Sequence, residues 1–444
     1  MNSRSALKPL VLFSAAVCFC ANLFAQTQNA VSNSILLPKV FLADPQALAE
    51  SKIKFTANDP SLKPAFDNLF KEADAALKAK PQSVMDKHRV PPSGDKHDYV
   101  SQAPYFWPET NAAGKIEYVR HDGERNPESN VDSDANRLGA TCSDVSTLGL
   151  AFYFTNDEKY ANKAAQLLRA FFLNPATKMN PNLNFGQGIP GEVDGRPAGL
   201  ISARGIVDLM DALSLLENSK SWTADDRTQM RAWLEDYYQW LTTSKIGKGE
   251  LDAKNNHGSF CNDQAAAIAL FLGKTDEARE LILDAKTNRI VHQILSDGRQ
   301  PLELVRTKSF GYSSFNLRAL IDMASIAQNL QIDLWHYRAT NGGSIFRATQ
   351  MMAQYADPKQ VWTNQQIHGY NHGGLADLIL RAAPQYPQTH LADELQFYQP
   401  AELISNRCRL LFVTAPIQAT NSTANQARKK GRGDKNAQGD TLEE

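Results

Sequence analysis

The sequence predicts an all-α protein, a toroid or solenoid built from successive helical hairpins. Three observations carry this. From Asp144 onward, apolar residues recur at helical spacing in one segment after another. Helix breakers mark the joints, among them Asn218, Gly247, Gly249, Gly273, Gly298, Gly342 and Pro358. Strand-like alternation is scarce until Arg407 to Thr414. Helical hairpins of this length bury their apolar faces against one another in a ring or superhelix. No internal repeat is strong enough to name a repeat family.

In chain order, residues 1–25 read as an export signal. Arg4 and Lys8 form a basic region, Leu10 to Phe24 is mostly apolar, and Ala25 is a small residue at the cleavage point. The apolar run is too short and interrupted for a membrane span. This places the mature protein in the periplasm or outside the cell. Val40 to Lys80 is helical, with Leu62, Phe66, Leu69, Phe70 and Ala73 on one buried face. Pro81 to Gly139 is rich in Pro, Gly, Asn, Asp and aromatics. It reads as an ordered loop region covering a cleft, because Tyr105-Phe106-Trp107 needs somewhere to pack.

Helices are then expected at Val145–Phe154, Tyr160–Phe172, Leu200–Leu216, Ala224–Thr243, Ala265–Leu272, Asp276–Leu295, Ser313–Leu330, Ser344–Tyr355 and Leu375–Ala383. Residues 26–414 make one domain, and residues 415–444 a polar tail without the apolar content to fold.

Composition excludes several classes. Basic and acidic residues nearly cancel, 47 against 48, so there is no electrostatic footprint for nucleic acid. Once the signal is removed, Cys142, Cys261 and Cys408 remain. An odd number argues against a disulfide framework.

The chemistry concentrates in two stretches. Lys254-Asn-Asn-His-Gly-Ser-Phe-Cys-Asn-Asp-Gln264 puts Asn256 and His257 where a loop, turning at Gly258-Ser259, enters the helix expected from Ala265. Free N–H groups and the helix dipole there suit a carboxylate. Pro301 to Tyr312 adds Arg306 and Tyr312. Taken singly, each has an ordinary reading: Asn-His as a helix cap, Arg306 as a surface ion pair, Tyr312 as a core aromatic.

Taken together, Asn-Asn-His-Gly-Ser followed by Arg306 and Tyr312 resembles the alginate lyase superfamily of polysaccharide lyases. Pro104-Tyr-Phe-Trp-Pro108 and Arg120-His-Asp-Gly-Glu-Arg-Asn-Pro-Glu128 resemble the same group, so the likeness runs from about Tyr105 to Gly374. The resemblance implies an incomplete (α/α) toroid with a long central cleft, and metal-free β-elimination on polyuronides without a cofactor.

The residues match that reaction. Elimination removes the C5 proton, α to a carboxylate, and expels O4. Asn256, His257 and Arg306 offer hydrogen bonds and positive charge where the enolate-like charge grows. Tyr312 supplies a base if cationic neighbours depress its pKa. Mannuronate and glucuronate place H5 and O4 on one side, so a single phenol serves both proton transfers. Guluronate needs a second group, such as His257.

Tyr105 and Trp107 are candidates to stack on sugar faces, and Arg137 and Arg204 to meet further carboxylates. The His368-Gly-Tyr370-Asn-His372 stretch has metal-ligand spacing. Gly369, Gly373 and Gly374 disfavour a helix there, and a substrate-binding loop containing His368, Tyr370 and His372 is preferred. The leading expectation is a lyase on an anionic polysaccharide, mannuronate-rich alginate ahead of glucuronan. The alternatives are a hydrolase using Asp263 and Glu303, or a sugar-binding protein without catalysis.

Overall fold

The computed structural model describes residues 37–370 and 372–417. The predicted signal, and the tail beyond residue 417, lie outside the described residues. Helices α1 (Pro45–Thr56) and α2 (Lys63–Ala76) open the fold. Next come β1 (Val100–Gln102), an antiparallel hairpin of β2 (Phe106–Thr110) and β3 (Ile116–Arg120), and helices α3 (Asp134–Thr155) and α4 (Glu158–Leu168). After β4 (Phe185–Gly188), which pairs in parallel with β1, follow α5 (Ile206–Leu215), α6 (Ala224–Thr243) and α7 (Lys245–Leu251). The rest comprises α8 (Asn256–Leu272), α9 (Thr275–Asp284), α10 (Pro301–Leu304), α11 (Ser309–Gln328), α12 (Ile345–Ala353), α13 (Gly373–Ala382), α14 (Pro400–Ile404) and α15 (Cys408–Leu411).

The expected ring forms. Helices α3, α5, α8, α11 and α13 follow one another around the inside, each packed on the next. Outer helices α2, α4, α6, α9 and α12 back them. Composition dictates this division. Helix α8 is apolar or small through most of its length and buried nearly all round, whereas α9 buries only Ala278 and Ile282 and turns charge to solvent.

The inner helices enclose a cavity of about 1270 Å³ walled partly by charge. Across it Arg381 pairs with Asp322 at 2.6 Å, and Arg318 lies 3.5 Å from Asp322. Cys142, Cys261 and Cys408 are all unpaired thiols. Among the described residues no helix is long and apolar enough to cross a membrane.

Local expectations fare unevenly. Helix α6 matches its predicted bounds because a capping box, Thr223 with Asp226, fixes its start from within the sequence. Arg407 to Thr414 is not strand-like but contains the short helix α15. The segment before α3 is less irregular than expected. Its hairpin turns on Asn111, whose side chain accepts from the backbone N–H of Ala113 and Lys115. Gly373 and Gly374 open α13, against the expectation that they disfavour a helix there; Gly369 lies outside it.

Candidate active site

The site is assembled from two helix starts and one hairpin. Helix α8 begins at Asn256, nine residues before the helix expected from Ala265, and the predicted turn at Gly258-Ser259 is its first turn. Gly258 is needed there for space, since a Cβ would sit 2.0 Å from the Ala253 carbonyl oxygen and 2.5 Å from Arg289 Nη1. The cap of this helix is not local. Glu303, on α10, accepts from the Asn256 backbone N–H at 2.8 Å and from its side-chain Nδ2 at 2.7 Å. The carboxylate that the helix start attracts is therefore the protein's own. Burial pushes Glu303 above the usual carboxylate range, against the pull of these two hydrogen bonds.

His257 follows with Nδ1 2.7 Å from Glu250 Oε1 on α7. Glu250 is 2% exposed. The loop between them is pinned by Arg289, which donates to the carbonyls of Leu251 and Ala253. Gln293 donates to the carbonyls of Lys254 and Asn255, and its Oε1 accepts from Asn316 on α11. Asn316 also donates to Gln300, so a buried polar chain ties the start of α8 to the segment carrying Arg306 and Tyr312.

Arg306 is held by the far end of the hairpin. Asp122 accepts from its Nε at 3.0 and 3.1 Å and from its Nη2 at 2.8 Å. Burial would raise Asp122, but hydrogen bonds from Arg306 and the Thr307 backbone outweigh it and hold its pKa at about 2. The Arg306 guanidinium lies 3.7 Å from the centroid of the Tyr312 ring. The Tyr312 hydroxyl donates to the Tyr105 hydroxyl at 2.7 Å.

The expected depression of Tyr312 is not found. Burial raises its pKa and outweighs the lowering by Arg306, because the ring is 4% exposed.

A pocket of about 140 Å³ is lined by Tyr105, Arg120, Gln187, Arg196, Asn255, His257 and Arg306. Arg196 is oriented by Gln187, whose backbone and side-chain oxygens accept from it at 3.0 and 2.8 Å. That segment can pack so closely because Gly186 and Gly199 touch; a Cβ on Gly199 would lie 2.5 Å from the Gly186 carbonyl carbon.

Of the expected residues, Tyr105, His257 and Arg306 line this pocket, and Tyr312 reaches it through its bond to Tyr105; Asn256 is 1% exposed and turned to Glu303, and the amide on the pocket is its neighbour Asn255. Sequence reasoning missed Arg120, Gln187 and Arg196, and the bracing roles of Asp122 and Glu250. For Asp122 a signal existed, its place inside the Arg120–Glu128 motif. In the same motif, Asn126 donates to the Phe106 carbonyl and caps the turn at Pro127, locking the hairpin base.

Other candidates stand elsewhere. Arg137 is taken by Asp132 at 2.6 Å and Asp134 at 3.0 Å, so it braces the start of α3 rather than the pocket wall. Arg204 lines the large inner cavity, with its guanidinium over Phe315. Trp107 donates to the Glu124 carbonyl and stacks on His121 within the hairpin. Tyr370 stacks on Phe310 at 4.1 Å, and His372 packs beside Tyr370 at 4.8 Å. These two are core neighbours of the start of α11, while His368 is exposed. Among the described residues no three His, Cys, Asp or Glu side chains are grouped to hold a metal. The carboxylates considered for hydrolysis are not a facing pair. Glu303 is committed to Asn256, and Asp263 is fully buried on the wall of the large cavity.

A helical ring that presents an amide, an imidazole, guanidinium groups and a phenol around one pocket has the make-up of a polysaccharide lyase, and comparison with known proteins agrees. The alginate lyase family model matches residues 83–362. A solved alginate lyase from Bacteroides ovatus is 39% identical over 84% of this chain and 99% of its own, with a TM-score of 0.80. Alginate lyase A1-III from Sphingomonas species A1 shares the fold at 18% identity, covering 84% of this chain and 97% of its own, with a TM-score of 0.51. A histidine-to-alanine variant of A1-III complexed with a tetrasaccharide aligns at 16% identity over 88% of this chain and all of its own, with a TM-score of 0.55. No curated protein matches the chain. The chain belongs to the alginate lyase family, and it is a polysaccharide lyase.

Proposed function

We propose that this lyase cleaves 4-linked polyuronides by β-elimination, with mannuronate-rich alginate as its first substrate and glucuronan next. The observation that carries the reading is the clustering of Arg306, Arg120, Arg196 and His257 on one small pocket beside the Tyr312–Tyr105 hydroxyl pair. A pocket so rich in cations suits a carboxylate on the sugar it processes.

Asp122 engages Nε and Nη2 of Arg306, which leaves Nη1 to meet an incoming carboxylate. Asn256, His257 and Arg306 then neutralise the charge that grows as C5 loses its proton. Tyr312, once it has lost its own proton to solvent, takes that proton as phenolate and returns it to O4. Tyr105, hydrogen-bonded to the Tyr312 oxygen at 2.7 Å, holds it in place. Export to the periplasm or beyond fits a polymeric substrate and the N-terminal signal.

The test is the ultraviolet absorbance of the C4=C5 double bond conjugated to the carboxylate. Initial rates on polymannuronate, glucuronan and polyguluronate should fall in that order. A clear preference for polyguluronate would remove the single-phenol mechanism. Binding of all three without any absorbance change would leave only a binding protein.

A further inference from the structure

We propose that Glu250 is a positioning residue that causes His257 to take up a proton when substrate binds, so that an imidazolium held between two carboxylates meets the uronate. This deepens the lyase reading above and rests on it.

A neutral imidazole has one N–H and one bare nitrogen, and the partner of one ring nitrogen decides which is which. Glu250 Oε1 stands 2.7 Å from His257 Nδ1, and an ionised carboxylate can only accept. The proton of the neutral ring is therefore fixed on Nδ1. Glu250 is 2% exposed, so water does not compete for this contact. The Arg289 anchor on Leu251 and Ala253 keeps the two partners in register.

His257 itself lines the pocket, and the nitrogen left to face substrate is Nε2. A bare Nε2 would turn a lone pair on the carboxylate it is meant to neutralise. With a second proton, the same nitrogen donates a charge-assisted hydrogen bond. The charged and titratable groups facing His257 are Glu250 from α7, Glu303 from α10, Arg306 just beyond it, Arg120 at the end of β3, Arg196 and Tyr105. Arg306, Arg120 and Arg196 oppose a second proton in the free enzyme; once the substrate carboxylate offsets their charge, it and Glu250 together favour the doubly protonated ring. The step balances as one proton moving from solvent to Nε2 on binding and back on product release. No bond in the sugar is touched.

Three measurements test this. In the free wild-type enzyme, followed by ¹⁵N NMR through an alkaline pH series, the neutral His257 ring should be protonated at Nδ1 and bare at Nε2. In the Tyr312→Phe variant with oligomannuronate, both nitrogens should carry protons. Calorimetry of that complex in buffers of different ionisation heat should give an uptake of about one proton. Adding Glu250→Gln should reduce the uptake toward zero. In the wild-type background the same change should lower kcat roughly 10- to 100-fold and move KM far less.

An Nε2–H tautomer in the free enzyme, or binding without proton uptake, overturns the proposal even if Glu250→Gln cannot be folded, since neither needs that variant. Unsaturated product from the wild type together with zero uptake sinks this proposal and leaves the lyase reading intact. Absence of product on every polyuronide sinks the lyase reading, while the free-enzyme tautomer still decides the role of Glu250.

Discussion

The two halves of the site are built differently. Asn256, His257 and Tyr312 sit on the first turns of α8 and α11, inside the ring wall, with Glu303 and Glu250 bracing the first two from burial. Tyr105, Arg120 and Asp122 come from a hairpin whose strands are largely open to solvent. The helix half takes its geometry from buried packing and a buried polar chain. The hairpin half takes it from a few attachments, chiefly Asp122 on Arg306 and Thr307. The lesson is a division of labour. The groups on the helix starts are fixed by buried contacts, whereas those on the hairpin depend on a few partly exposed ones.

The largest expected effect tests the helix half. Tyr312→Phe should lower kcat by roughly 10³-fold or more, since it removes both proton transfers, while oligomannuronate still binds. A variant with wild-type kcat would move the chemistry off this phenol. Next come Asn256→Ala, His257→Ala and Arg306→Ala. Each should lose on the order of 10²-fold in kcat and much less in KM, because the charge they meet grows in the transition state. If KM alone changed in all three, these residues would be binding groups.

The pH dependence sharpens the point. Burial raises the Tyr312 pKa, so the phenol is protonated at neutral pH and the reactive phenolate is scarce. As pH rises toward that value, the phenolate fraction grows about tenfold per unit, and kcat should climb accordingly between pH 7 and 9. A kcat that falls over this range would make Tyr312 the acid alone and leave the base elsewhere.

The hairpin half should respond more mildly. Trp107→Ala loses the stack on His121 and the bond to the Glu124 carbonyl, and KM for polymer should rise a few-fold with kcat nearly unchanged. A large loss of kcat would mean that Trp107 is itself needed to keep Asp122 in place on Arg306. The smallest expected effect is none. The proposed charge neutralisation uses side chains only, so activity should survive exhaustive chelation. Loss on chelation with rescue by one divalent ion would bring a metal into both halves.

The ring was legible in the sequence because periodic apolar runs and breakers are local signals, as the self-capped helix α6 shows. The class of chemistry was legible too, through the family resemblance carried by Asn255-Asn256-His257-Gly258-Ser259 with Arg306 and Tyr312. Only the tertiary structure decided how those groups are held. Helix α8 starts at Asn256 because Glu303, 47 residues away, caps it, and no window of sequence contains that partner. Arg306 is aimed by Asp122 across 184 residues, and Arg196 and Arg120 reach the pocket from a loop and from the end of β3. The direction of the Tyr312 shift was decided there as well. A cationic neighbour is visible in sequence, but the burial that overrides it is a property of packing, and it exists only once the ring has closed around the phenol.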